Sequence, residues 1–232
     1  MDNRYYFENI VSNKVVLVGQ EAQHLSKVRR CKIGDEIVGF NGDGNDYQLK
    51  ICNITKQEVE AEIQKTTPNK AMLEKNEITV YLASLKNDAL TTAIDYLAEL
   101  NVKNVKIFKA DFSVAVLEQK KLEKLNSIAI QASKQCERAD IMHISLIDKK
   151  DIIKDAKKLS KCFFAYEDAE DKIMPFSGNF GIVIGPEGGF SKQEVDYFSS
   201  FATTISLGKT ILRAEVACVA SVAALKAVSY EG

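Results

Sequence analysis

Polar and apolar positions change period once along the 232 residues, near residue 70. Before that point alternation dominates. Val59, Ala61 and Ile63 fall on one side of a two-residue period and Glu58, Glu60 and Glu62 on the other, which predicts a strand with one wet face over 57–64. Residues 14–18, 36–40 and 46–54 read as further strands. Asn41-Gly42-Asp43-Gly44 is a strong turn signal after the second of them. Residues 20–30 read as a short helix with Ala22, Leu25 and Val28 inward. Short strands, tight turns and little helix predict a small barrel over 1–70.

Residues 66–76 show no periodicity and contain Pro68, so a linker is expected there. Beyond it the pattern alternates between strand and helix. Residues 78–85 and 105–108 read as strands, and the short apolar runs at 162–166 and 181–184 fit strands buried on both sides. Leu90, Ala93, Ile94, Leu97 and Ala98 share one helical face over 89–100. Leu122, Leu125, Ile128, Ala129 and Ala132 do so over 120–137, and 216–227 is an almost wholly apolar final helix. Such alternation implies an α/β domain over 71–232, a parallel sheet with helices on both faces.

Composition adds exclusions. With 46% hydrophobic and 27% charged residues, the chain is neither disordered nor fibrous. No apolar run approaches the roughly 20 residues of a membrane span. The first eight residues contain no apolar h-region, so a cytoplasmic protein is expected. Five scattered cysteines and two histidines argue for reduced core thiols and against a disulfide framework or a metal centre. The net charge of −1 conceals a local imbalance: residues 24–32 hold Lys27, Arg29, Arg30 and Lys32 and no acid. Such a cluster suits phosphate contacts.

Two late segments carry the candidate chemistry. Ile184-Gly185-Pro186-Glu187-Gly188-Gly189-Phe190 leaves a buried strand and opens a helix at Ser191, where Ser191 and Glu194 have capping-box spacing. Glycines at such a turn admit a ligand to the backbone, which alone leaves open a plain tight turn. No P-loop Lys-Ser/Thr follows and no G-x-G-x-x-G occurs. Glu187 would repel phosphate and suits a ligand with hydroxyls, an amine or a positive centre. The second segment runs from Ser206 through Leu207, Gly208, Ile211 and Leu212 to Arg213 and Glu215 at the opening of the last helix.

Together these motifs resemble the RsmE family of RNA methyltransferases. Further matches in order are Arg4-Tyr5-Tyr6, the stretch from His24 to Arg30, Gly34-Asp35, Phe40-Asn41-Gly42, Lys86, Glu99-Leu100, Gln135 and Arg138. The resemblance implies a PUA-like β-barrel followed by a SPOUT domain tied in a deep trefoil knot, an exception to the rule against threading. It implies a homodimer, with the apolar last helix (Ala217, Ala220, Ser221, Ala224) suited to close approach. It implies S-adenosylmethionine held by Ala165, Tyr166 and Glu167, by Ile184, Gly185, Glu187 and Gly188, and by Leu207, Gly208, Ile211 and Leu212. Arg213 and Glu215 are the expected catalytic pair. Arg4, Lys27, Arg29, Arg30 and Arg138 are the expected RNA contacts.

The implied reaction is methylation of N3 of one uridine in 16S ribosomal RNA of the small subunit. Other RNA targets, such as a ribose 2′-hydroxyl, and a non-catalytic assembly role remain alternatives. The chain departs from the family at Ala214 and Val216, where threonines are usual, at Phe112, where arginine is usual, at Asn101, usually glycine, and at Ile141-Met142, usually Val-Pro.

Overall fold

In the computed structural model, which describes residues 4–114, 119–169 and 173–230, the chain divides into two units. One comprises Met1–Leu73 with Ser133–Ile141, the other Glu74–Ala132 with Met142–Gly232.

The alternation of the first unit becomes a sheet. Strands β1 (Arg4–Tyr6), β2 (Ile10–Val11), β3 (Lys14–Val18), β4 (Glu36–Phe40), β5 (Asn45–Ile54) and β6 (Glu58–Pro68) lie in the order β1-β4-β5-β6-β3-β2. β1 runs parallel to β4 and the remaining pairs are antiparallel. Val59 and Ala61 of β6 are fully buried, joining Tyr5, Phe7, Leu17, Leu25 and Leu49 in one core.

Two sequence expectations need correction here. The predicted linker begins later than residue 66, because β5 pairs with β6 as far as Asn45 opposite Pro68, and a 3-10 turn, Lys70–Leu73, follows. Pro68 closes the strand, an end position at which its missing N–H is tolerated. The predicted helix at 20–30 is helical over 19–28, as α1 (Gly19–Gln23) plus a π-helical turn, His24–Val28, with Ala22 and Leu25 buried but Val28 exposed rather than inward. Ser26 Oγ donates to the Ala22 carbonyl at 2.7 Å, a back-bond that bends helices, and Arg30 at φ 53° ends the turn.

The second unit holds a six-stranded, wholly parallel sheet in the order β13-β10-β12-β7-β8-β9. Its elements are β7 (Ile78–Ala83), α2 (Asn87–Glu99), β8 (Asn104–Phe108), α3 (Gln119–Gln135), β9 (His143–Leu146), α4 (Ile152–Ala156), β10 (Lys161–Ala165), β12 (Phe180–Ile184), α5 (Lys192–Ser199), β13 (Thr203–Ile205) and α6 (Ala214–Val228). The short strands β11 (Phe176–Ser177) and β14 (Ser229–Tyr230) pair separately. β7 and β12, side by side, are buried along their whole length, Thr79 of β7 included. α2 buries the five residues its periodicity assigns inward. Asn101, just past its end, adopts φ 60°, a left-handed turn that asparagine tolerates.

This order fixes where ligands gather. Four neighbouring parallel strands, β13, β10, β12 and β7, send their following loops out of the same edge. In open α/β sheets that carboxyl edge is where ligands bind.

Candidate functional site

All four of those loops line one open cavity of about 960 Å³. Lys86, Asn87, Asp88 and Ala89 come from the turn after β7, and Ala165 and Glu167 follow β10. Residues 184–190 follow β12, and Ile211, Leu212, Arg213, Ala214, Glu215 and Ala217 come from the loop after β13 and the start of α6. The two segments singled out by sequence therefore face a common space.

Each loop has a local cause. Ser191 and Glu194 form both bonds of the capping box: Glu194 N–H donates to Ser191 Oγ at 3.3 Å, and Ser191 N–H to Glu194 Oε2 at 3.0 Å. That start fixes where the 184–190 loop must end. Within it Gly189 N–H donates to the Pro186 carbonyl at 3.0 Å, and Gly189 sits at φ 73°, a conformation that suits glycine. Arg213 is the N-cap of α6, and its carbonyl accepts from Ala217 N–H at 2.8 Å. Its side chain is left exposed on the cavity wall. Glu215, in the first turn, is half-buried. Among the described residues no ion pair joins the two.

Of the expected donor-binding residues, Ala165, Glu167, Ile184, Gly185, Glu187, Gly188, Ile211 and Leu212 line the cavity. Tyr166, Leu207 and Gly208 do not. Tyr166 stacks on Phe164 at 5.7 Å between ring centroids, and its hydroxyl donates to Asp168 at 3.1 Å. That bond pushes its phenol above the ordinary range. Leu207 and Gly208 belong to the same loop as Ile211, Gly208 at φ 120°. Glu187 lines the wall, but its Oε1 accepts from the Lys86 backbone N–H at 3.0 Å. Sequence reasoning missed the 86–89 wall. The signal was available: β7 neighbours β12, so its exit turn must stand beside the glycine loop.

The basic candidates separate. Lys27, Arg29, Arg30 and Lys32 are all exposed, alongside exposed Val28 and Ile33. Arg138 is 2% exposed, and its Nη2 and Nε donate to the Asp140 carboxylate at 2.7 and 3.1 Å. A guanidinium so buried and paired offers no face to a phosphate, which corrects its expected role. Arg4 is also committed. It pairs with Asp46 at 2.5 Å, donates to the Arg138 carbonyl at 3.0 Å and lies over the Phe40 ring. Tyr5 is fully buried.

The composition of the cavity defines its ligand. Asp88, Glu167, Glu187 and Glu215 outnumber Lys86 and Arg213 along the wall, beside apolar Ala165, Ile184, Ile211 and Leu212. Such a site disfavours polyphosphates and suits a ligand with an apolar body, hydroxyls and a positive centre. Among the described residues no group of acids, cysteines and histidines could hold a metal ion, and no helix is long and apolar enough to cross a membrane.

The chain also matches known proteins along almost its whole length. Residues 73–226 match the RNA methyltransferase domain family, and residues 17–64 the RNA methyltransferase PUA domain family. A protein of Rickettsia conorii named ribosomal RNA small subunit methyltransferase E is 28% identical over 97% of this chain and 95% of its own length. Its namesake in Bacillus subtilis is 28% identical over 93% and 89%. The crystal structure of the Neisseria gonorrhoeae protein of that name, bound to S-adenosyl methionine, superposes with a TM-score of 0.84 at 25% identity over 98% of both chains. Since the methyltransferase match spans more than half of the sequence and such relatives align almost end to end, this chain belongs to the RsmE family of RNA methyltransferases.

Proposed function

We propose that this protein transfers a methyl group from S-adenosylmethionine to N3 of one uridine in 16S ribosomal RNA of the small subunit. The observation that carries the reading is the shared cavity wall, where Arg213 and Glu215 face the 184–190 loop. The acid-rich, partly apolar lining fits the donor. Ala165, Ile184, Leu212 and the backbone of the glycine loop hold its adenosyl body, and Glu167 its ribose hydroxyls. When bound, S-adenosylmethionine supplies an electrophilic methyl group on a sulfonium.

The protein's own residues then handle the acceptor. Uridine N3 carries a proton that must leave, and negative charge spreads to the neighbouring carbonyl oxygens. Arg213, exposed at the N-cap of α6, balances that charge. Glu215, with no ion pair to Arg213 among the described residues, takes the N3 proton. Both act by geometry as much as by charge, because an in-line displacement needs the acceptor nitrogen held on the axis of attack.

The finer architecture goes with this reading. Residues 1–70 form a PUA-like barrel that meets RNA through Lys27, Arg29, Arg30 and Lys32. Residues 71–232 form a SPOUT domain whose loops at the cavity belong to a trefoil knot. The enzyme works in the cytoplasm as a homodimer that packs through α6, where Ala217, Ala220 and Ala224 are partly exposed while Ser221 points inward. The experiment is in vitro methylation of small subunits from a strain lacking this protein, followed by nucleoside analysis. 3-Methyluridine is expected. A ribose-methylated nucleoside would move the activity to another target, and absence of both methylation and donor binding would leave an assembly role.

A further inference from the structure

The 110–113 loop stands beside the cavity and is held by a cluster that the reaction above does not use. The Asp111 carboxylate accepts from Ser191 Oγ at 2.5 Å and from Lys149 Nζ at 2.6 Å. Its N–H donates to Glu194 Oε1 at 2.9 Å, and the same oxygen accepts from Lys149 Nζ at 2.7 Å. Glu194 is 2% exposed and also closes the capping box of α5. The Lys149 and Ser191 hydrogen bonds hold the Asp111 carboxyl below its ordinary range. Two residues further, Ser113 N–H donates to the Ala110 carbonyl and Ala110 N–H to Ser113 Oγ, both at 3.1 Å. The backbone on both sides of Phe112 is therefore fixed.

Phe112 is what this frame presents. Its side chain is half exposed, at 52%. Its root is pressed onto Gly188, where an added Cβ would lie 3.0 Å from Phe112 Cβ and 3.3 Å from its carbonyl oxygen. Gly188 lines the cavity, so the root of Phe112 adjoins one loop of its wall. Aromatic rings stack on any base, and an enzyme that acts on a base must first take it out of its stack. A ring carried on a backbone already held in place costs less ordering on binding than one on a free loop.

We propose that Phe112 stacks on a base of the RNA at the mouth of the cavity and holds the unstacked strand there. This rests on the methyltransferase reading above. Phe112→Ala, Phe112→Leu and Phe112→Trp are compared with the parent for methylation of undermethylated small subunits and for S-adenosylmethionine affinity. Both Ala and Leu variants should raise KM for the subunit roughly tenfold to hundredfold, with donor affinity unchanged and Trp near the parent. Rescue by Leu would reduce Phe112 to apolar packing and overturn the inference, as would an Ala variant equal to the parent. Weakened donor binding would also overturn it, by showing that the ring only braces the glycine loop. A parent enzyme that methylates nothing would instead remove the functional reading itself, and this inference with it.

Discussion

The backbone N–H of Lys86 donates to Glu187 Oε1 at 3.0 Å and ties the exit of β7 to the glycine loop after β12. Lys86 is the N-cap of α2 and supplies no capping side chain of its own. A carboxylate there is also favoured by the helix dipole. Glu187 thus braces two walls of the cavity.

A brace and a charge contact respond differently to substitution. Glutamine keeps an acceptor oxygen for Lys86, whereas alanine does not. Glu187→Ala should weaken S-adenosylmethionine binding roughly tenfold, and Glu187→Gln should remain within about threefold of the parent. Calorimetric titration of both variants checks this. Equal losses in the two would return Glu187 to direct contact with the positive donor.

The second unit should carry a specific acid sensitivity. Burial raises the Asp155 carboxyl, but hydrogen bonds from Lys106, Lys158 and Tyr81 outweigh it and leave it below the ordinary range. A carboxyl lowered on folding stabilises the native state above its unfolded pKa of about 3.9 and loses that contribution as pH falls through the folded value. Asp155→Asn should therefore be less stable than the parent at pH 7, and the gap should close below about pH 4. Lys106→Met, which leaves the Asp155 carboxylate with Lys158 and Tyr81 only, should cost about 1 kcal/mol at neutral pH. Urea unfolding across that pH range measures both, and a gap independent of pH would contradict the assignment.

Basic residues in the first unit should divide by role. Removing Lys27, Arg29 or Arg30 singly should leave stability within about 0.5 kcal/mol of the parent. Each should weaken RNA binding at every sequence and reduce the salt slope by about 1. Arg138→Met removes the guanidinium that pairs with Asp140 and should cost about 3 kcal/mol of stability. Filter binding at several salt concentrations, beside thermal unfolding, separates the two classes.

Local signals made much of this legible. The capping box at Ser191 and Glu194 and the buried face of α2 depend on residues close in sequence, so pattern alone locates them, whereas the left-handed Asn101 was marked only by the family resemblance. Long-range contacts were not legible. Asp140 bridges to Gly42 and Asp43, which brings residues 133–141 into the first unit, and no periodicity announces such a pairing. The Asp111–Ser191 bond spans 80 positions in the chain. The basic run at 27–32 was readable because its charges are adjacent, whereas Arg138 looked alike in sequence and differs only through its burial with Asp140. The β9 and α4 segments were missed because four and five residues of mixed polarity give no period to count.

The most direct measurement pairs methylation with donor binding in the parent and in Arg213→Ala. Small subunits lacking the modification are incubated with each protein and S-adenosylmethionine, and the RNA is digested to nucleosides. The parent should produce 3-methyluridine, while Arg213→Ala should produce none and still bind the donor with the parent's affinity. Methylation by Arg213→Ala at the parent's rate, or a parent product other than 3-methyluridine, would contradict the assignment of this cavity to uridine N3.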